Sequence, residues 1–400
     1  MGRQRFASLL ISIGIGFSVL LTACSVSAPA ASPTSAPKAQ STTAPVSAPT
    51  EKPASAAAAK PVTSAPEQLE WEKTLAAAKQ EGVLNLLTQP GTDYKRMVDQ
   101  FQAKYPEIKV EHTASRPSDI SPKIITEQQN GQYVWDVFTA QTSNMVNVLT
   151  PAGVLQEIRS FITMPDVTDD SKWLGGFEFW AHDVSKQPLI LVFAADVIGG
   201  YAVNRDSVAK DQVTSVDDLL DPKWAGKIVI DDPSVPANGS ITLAGFMHAR
   251  GEEFVKRFFT ESKPVVQETV RVTTEWLVTG RYPIAVGADK NFFQEFQKEG
   301  IGKNVDFMQG PRYLATRGVS VFKHAPHPNA TKVWVNWLLS QEGQKAYVEA
   351  FQGNSRRNDV PVLNLNELPD FSKLETYASP NQESGKDLVA KVIALYKSTR

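Results

Sequence analysis

The chain predicts an α/β fold built as two units with a cleft between them, and three observations carry this. Strand-like and helix-like segments alternate with short joints from residue 67 onward. The same rhythm resumes near residue 200 after a less regular stretch. The 67–400 portion is also long enough for two lobes of ordinary domain size. Open parallel sheets bind ligands outside the carboxyl ends of their strands, so the cleft is where a site is expected.

In the first unit, residues 67–81 set Leu69, Trp71, Leu75, Ala76 and Ala78 at helical spacing, and Gly82 stops the helix. Val83 to Leu87 reads as a short buried strand. Residues 93–105 predict a helix with Tyr94, Met97, Val98, Phe101 and Tyr105 on one face and Pro106 just beyond. Residues 108–112 alternate as a strand, and a helix near 121–130 leads to a strand around 136–138. In the second unit, 200–204, 227–230 and 282–286 read as strands, and 241–250, 252–260 and 289–298 as helices. Residues 314–322 are strand-like, and 327–339 form a helix with Val333, Trp334, Trp337 and Leu338 inward.

Lysine plus arginine total 41 and aspartate plus glutamate 43, a formal charge of -2, which argues against a nucleic-acid partner. Arg3 and Arg5 precede an apolar run from Leu9 to Leu21, the layout of a secretory signal and too short for a mature membrane span. Leu21-Thr22-Ala23-Cys24 resembles a bacterial lipobox, and Cys24 is the only cysteine, so residues 1–23 are expected to be removed and Cys24 lipidated. An ordinary signal peptide with an incidental cysteine is the plainer alternative. With one thiol there is no internal disulfide, and a hydrophobic core must hold the fold. From Ser25 to about Pro66 the chain is almost entirely Ala, Ser, Pro and Thr, a flexible stalk between lipid and globule.

Several segments are similar to the extracellular solute-binding proteins of ABC importers, specifically the ferric-ion-binding-like branch. They are Trp71-Glu72-Lys73 through Gly82-Val83-Leu84, Phe101-Gln102-Ala103-Lys104-Tyr105-Pro106, Trp135-Asp136-Val137-Phe138 and Asp221-Pro222-Lys223-Trp224-Ala225-Gly226-Lys227-Ile228. His327-Pro328-Asn329-Ala330, Ser340-Gln341-Glu342-Gly343-Gln344 and Ser355-Arg356-Arg357-Asn358-Asp359-Val360 complete the set. The resemblance spans nearly all of residues 67–361. It implies a two-lobed type II periplasmic-binding fold whose lobes are joined by crossing strands. Lobe 1 is expected to take 67–198 and 313–355, and lobe 2 to take 199–312 and 356–400, with a C-terminal helix at 386–396 packing on lobe 2.

The resemblance also implies iron ligands that this chain lacks. After Val286-Gly287, where the family has its Tyr pair, stand Asn291, Phe292 and Phe293. Where its Glu falls stands Gln141, and the loop after Leu87 that would bring His reads Thr88-Gln89-Pro90-Gly91. A hard trivalent cation needs phenolate and carboxylate oxygens, so direct ferric coordination is not expected. An organic or oxyanionic solute fits the replacements better. Thr88 and Gln89, then Gln141, Thr142 and Ser143, then Asn238, Gly239 and Ser240 each sit between a strand end and a helix start. Free amides and the helix dipole there favour an anion, although simple capping explains the same residues. Phe292 or Phe293 is a candidate to stack on a flat solute part, and Arg116 and Arg312 are candidates for charge-assisted bonds. Trp173, Phe177, Phe179 and Trp180 form an aromatic patch better explained by packing.

His324 and His327 lie close in sequence without a cysteine or carboxylate partner, so no metal site is expected there. No nucleophile elbow, phosphate loop or dinucleotide fingerprint appears, and the pairs Asp169-Asp170, Asp217-Asp218 and Asp231-Asp232 point to opposite faces if in strands. The reading is therefore a lipid-anchored, monomeric, non-catalytic receptor without cofactor. It would hand a small solute to a membrane permease driven by a cytoplasmic ATPase. An anchored extracellular hydrolase and a sensory lipoprotein feeding a membrane kinase are the alternatives.

Overall fold

The computed structural model describes residues 65–181, 187–379, 385 and 387–400. The signal segment, Cys24 and the stalk to residue 64 lie outside these. Among the described residues, no helix is long and apolar enough to cross a membrane.

The first lobe is built on α1 (Ala65–Glu81), β1 (Val83–Thr88), α2 (Thr92–Lys104), β2 (Lys109–Ala114), α3 (Pro117–Gln129) and β3 (Val137–Gln141). β1 pairs in parallel with both β2 and β3, so each connection is a helical crossover. The burial pattern of α2 follows its periodicity: Tyr94, Met97, Val98 and Phe101 are the buried residues. A single turn, α4 (Thr142–Asn144), then β4 (Leu155–Gln156), α5 (Pro165–Thr168) and β5 (Ile190–Ile198) follow. Eight of the nine β5 residues are fully buried, which is why its sequence shows no alternation of apolar and polar side chains.

The second lobe runs β6 (Tyr201–Asn204), β7 (Ile228–Asp231), α6 (Asn238–Arg250), α7 (Glu252–Arg257), β8 (Val265–Gln267), α8 (Val270–Val278), β9 (Ile284–Val286), α9 (Lys290–Lys298) and β10 (Val305–Phe307). Its sheet has the order β10-β6-β9-β7-β8, with β7 parallel to β8 and β9. The chain returns to the first sheet as β11 (Tyr313–Phe322), antiparallel to β3 and β5, then forms α10 (Pro328–Leu339) and α11 (Gln341–Phe351). Finally α12 (Leu388–Ser398) packs Leu388, Val392 and Tyr396 into the core of the second lobe.

Each lobe has its own core. The first gathers Phe101, Trp334, Trp337 and Tyr347, with the Phe101 and Trp334 rings 5.0 Å apart; the second gathers Phe246, Phe258, Ile284 and Val286. Fully burying one such side chain is worth about 1.5–3 kcal/mol, so these clusters hold the lobes without a covalent staple. The aromatic patch is part of this packing: Trp173 and Phe177 are buried in the first core.

Residues 356–363, expected with the second lobe, lie with the first. Arg356, Arg357 and Val360 are buried there, and the Arg356 guanidinium bonds carbonyls of Leu174 and Val192. The chain then crosses as an extended segment: the Val197 amide donates to Glu367 O (2.7 Å) and the Leu314 amide to Ala378 O (2.7 Å).

Candidate functional site

The lobes meet where β5 gives way to β6 and where β11 begins, and the two long strands lie paired there, Ile198 opposite Tyr313. Gly199 (φ 77°) and Gly200 (φ 107°) make the turn between the sheets. A Cβ on Gly199 would lie 2.9 Å from Thr242 Oγ1, so both conformation and space call for glycine. Beside this joint is a cavity of about 250 Å³. Lobe 1 and the crossing strands line it with Asp196, Arg317, Phe351 and Gln352; lobe 2 lines it with Asn238, Asp289, Lys290 and Asn291; and Glu367 closes one side.

Two of the sequence-derived candidates, Asn238 and Asn291, line this cavity directly. Gln141 is exposed and lies opposite Arg317 in the β3–β11 pairing. Gln89 ties the neighbouring loops together: its Oε1 accepts from Tyr94 OH (3.2 Å) and from the Gln141 amide (3.3 Å). Thr88 is buried, with Oγ1 2.8 Å from His112 Nε2. Thr142 is buried with Oγ1 2.5 Å from Thr316 Oγ1, and Ser143 is half-buried beside it. Gly239 and Ser240 sit beneath the surface. The Gly239 amide donates to Asp231 Oδ2 (3.1 Å), and Ser240 Oγ takes the Ala237 amide and donates to Val235 O (2.7 Å).

The Gly239 amide at the start of α6 is thus occupied by the protein's own Asp231. At α9, Asp289 Oδ1 likewise accepts the Asn291 (2.9 Å) and Phe292 (3.2 Å) amides. These three amides are therefore not open to an external anion, and at 238–240 the capping alternative accounts for the Gly239 amide. Phe293 is buried against Phe307 at 5.0 Å. Phe292 instead borders an adjoining cavity with Asp231, Asn238, Glu268 and Arg271, whose guanidinium lies 5.2 Å from its ring. Arg116 is exposed at the start of α3 and is not among the cleft-lining residues. Arg312 holds the crossing segment, donating to Asn366 O and to Gln309 Oε1 (2.7 Å). His327 is committed to the buried Asp136, which accepts from its Nδ1 (2.8 Å) and its amide (2.7 Å). Among the described residues, no group of three or more His, Cys, Asp or Glu is placed to hold a metal ion.

Sequence reasoning missed the charged centre of the cleft. Arg317 has a side chain 23% exposed and lies over the Phe351 ring at 5.0 Å. Its Nη1 donates to Tyr347 OH (3.2 Å), and Asp196 Oδ2 stands 3.9 Å away. Burial opposes its charge, but Tyr347, Tyr94 and Asp196 together raise its pKa. Burial raises the pKa values of Tyr94 and Tyr347, so both rings present neutral phenols. Lys290 is paired with Glu367 at 2.8 Å.

Burial pushes the Asp196 carboxyl up to about 6, against the Asn354 amide and Arg317, which favour its charge. In the unfolded chain an aspartate titrates near ~3.9. The contribution of Asp196 to stability is therefore fully present below that value and is lost as pH rises through about 6. Asp196→Asn mimics the protonated form. Between about pH 4 and pH 8 the variant is expected to gain on the order of 2–3 kcal/mol relative to the parent. Urea unfolding of both at each pH measures this, and a pH-independent difference would contradict it.

A family model described as "Bacterial extracellular solute-binding protein" matches residues 96–356. An uncharacterized protein of Haemophilus influenzae is 29% identical over 153 residues, 36% of this chain and 44% of that protein, so the match spans less than half of the relative. Among solved structures, iron-bound HitA from Pseudomonas aeruginosa aligns with a TM-score of 0.57 at 18% identity, covering 79% of this chain and 99% of the other. Trichodesmium IdiA (FutA), in complex with iron and citrate, aligns with a TM-score of 0.58 at 18% identity over 80% and 99%. AfuA from Actinobacillus pleuropneumoniae, with fructose-6-phosphate bound, aligns with a TM-score of 0.52 at 19% identity over 78% and 97%. At these identities the likeness carries the fold, two lobes around a cleft, and not the solute.

Proposed function

The chain belongs to the bacterial extracellular solute-binding proteins, and from that premise we propose that it captures a small organic solute in the interlobe cleft and delivers it to an ABC permease. The observation that carries this reading is the polar cavity at the crossing of β5 and β11, lined from both lobes. A guest touching both walls binds the closed form better than the open one, and that difference in affinity drives closure. Lipidated Cys24 tethers the receptor, and the stalk gives it reach.

The solute is not a bare ferric ion. Arg317 fills the place of a cation between Tyr94, Tyr347 and Asp196, the two phenols stay protonated, and the rings of Phe292 and Phe293 offer no ligand oxygen. The test is thermal unfolding and small-angle scattering of the full chain with fractionated growth-medium solutes and, separately, ferric citrate. A true solute at about 100 times its Kd adds about 2.7 kcal/mol and shrinks the molecule. Ferric iron should add nothing and produce no visible charge-transfer band. Stabilisation by iron alone would overturn the assignment. Metabolic labelling with a radioactive fatty acid checks the tether: Cys24→Ala should abolish incorporation and release the protein into the medium.

A further inference from the structure

We infer that the solute is dipolar, with carboxylate-type oxygens directed at Arg317 on the first lobe and a cationic nitrogen directed at Asp289 on the second. This rests on the receptor reading above and narrows it to a class of ligand. The cavity is lined by three carboxylates, Asp196, Asp289 and Glu367, against two cations, Lys290 and Arg317, a formal charge of −1. The pair Lys290–Glu367, 2.8 Å apart, neutralises itself and leaves Arg317, Asp196 and Asp289 to face the guest.

Arg317 is under-satisfied. Among the described residues its buried Nε has no hydrogen-bond partner, and Asp196 Oδ2 at 3.9 Å is beyond direct hydrogen-bond reach of the fork. A buried N–H without an acceptor is costly, and a guanidinium fork is matched by two oxygens of one planar acid group. Across the cleft, Asp289 commits Oδ1 to the Asn291 and Phe292 amides, while among the described residues Oδ2 has only the Asn238 side-chain amide nitrogen at 3.5 Å, the outer limit of a bond.

A purely anionic solute would satisfy Arg317 but meet Asp196 and Asp289. The Gly239, Asn291 and Phe292 amides, which would otherwise help to offset that repulsion, are already taken by Asp231 and Asp289. A purely cationic solute would face Asp289 but would be repelled by the Arg317 guanidinium and leave it without an anionic partner in the cleft. One molecule carrying both groups answers both walls, and Asn238, Asn291 and Gln352 supply neutral polar contacts around it. The volume of about 250 Å³ equals the share of roughly eight waters, which limits the guest to a small molecule.

The test incubates the full chain with the small-molecule fraction of yeast extract, removes unbound solutes by gel filtration, denatures the protein and sorts released compounds by mass spectrometry. The expected result is enrichment of a zwitterion. Its recovery should fall about tenfold or more in Arg317→Gln, Arg317→Lys and Asp289→Asn, as for loss of one charged hydrogen-bonding group. Asparagine keeps the α9 cap, so the last variant reads the charge rather than folding; thermal melts check all three. Enrichment of compounds of a single sign, or of neutral ones, overturns the inference and leaves the receptor reading intact. A zwitterion retained equally by folded variants also overturns it. No enrichment at all counts against the receptor reading itself.

Discussion

Arg356→Met is expected to lower the stability of the first lobe by about 3–5 kcal/mol, the range for stranding groups that a buried charge had satisfied. Arg356 is 0% exposed, and among the described residues its guanidinium has no direct bond to a carboxylate. Instead it donates to Val192 O (2.6 Å), to Leu174 O (2.9 and 3.2 Å) and to Gly176 O, and it lies 4.5 Å from the Phe179 ring. Burial pulls its pKa down to about 9, so it remains charged at neutral pH, and the carbonyl dipoles carry most of the task of solvating it beside the aromatic rings. Methionine matches much of the stem but bonds none of the carbonyls. Arg356→Lys keeps the charge yet loses the fork, and should fall between parent and Met variant. Urea unfolding measures both. A loss under about 1 kcal/mol for Met would mean that water reaches these carbonyls. None of the carbonyls that the guanidinium bonds belongs to a cavity-lining residue, so solute affinity per folded molecule should not change.

The same arginine shows what sequence could and could not deliver. Periodicity found α2 and α10, which bury the residues their spacing selects, while bounding turn residues marked the short strands β6, β7 and β9 although these are buried throughout. It passed over β5, because a strand buried on both faces has no alternation to see, and with it Asp196 in the middle of the run. It passed over α8 because Val270, Val272, Thr273, Thr274 and Val278 are β-branched, which favours strand until tertiary packing overrides it. Arg317 was hidden for another reason. Its pairing with β5 shifts register between Arg317 and Gly318, and such irregularities re-aim side chains next to functional sites. No spacing rule in one sequence forecasts that shift, so Arg116 and Arg312, which merely follow strands, stood out instead. The C-terminal boundary failed similarly: residues 354–378 cross between lobes with little regular structure, and only contacts such as those of Arg356 reveal which lobe holds each part.

Gly239→Ala is expected to damage both stability and binding, by on the order of 3 kcal/mol in the first, as for overpacking a rigid site. The reason is space rather than conformational freedom. A Cβ there would stand 1.9 Å from Asp231 O and 2.7 Å from Asp231 C, and one on Gly287 would stand 2.8 Å from the Gly239 amide nitrogen. Three backbones therefore meet at this point: the end of β7, the start of α6 and the loop leaving β9. None of the atoms in the way is the free end of a side chain, so α6 must withdraw. That movement breaks the Gly239 amide bond to Asp231 Oδ2 and leaves a buried carboxylate short of its donors. It also carries Asn238 away from the cavity that it lines. Stability and affinity should consequently fall together, with affinity down by roughly tenfold, the size of one lost polar contact. Arg356→Met, by contrast, should lose stability alone. Solute titration and urea unfolding on both variants separate the two: a Gly239→Ala protein with a parental midpoint would show that α6 yields without cost, and that the close approach does not set the cleft wall.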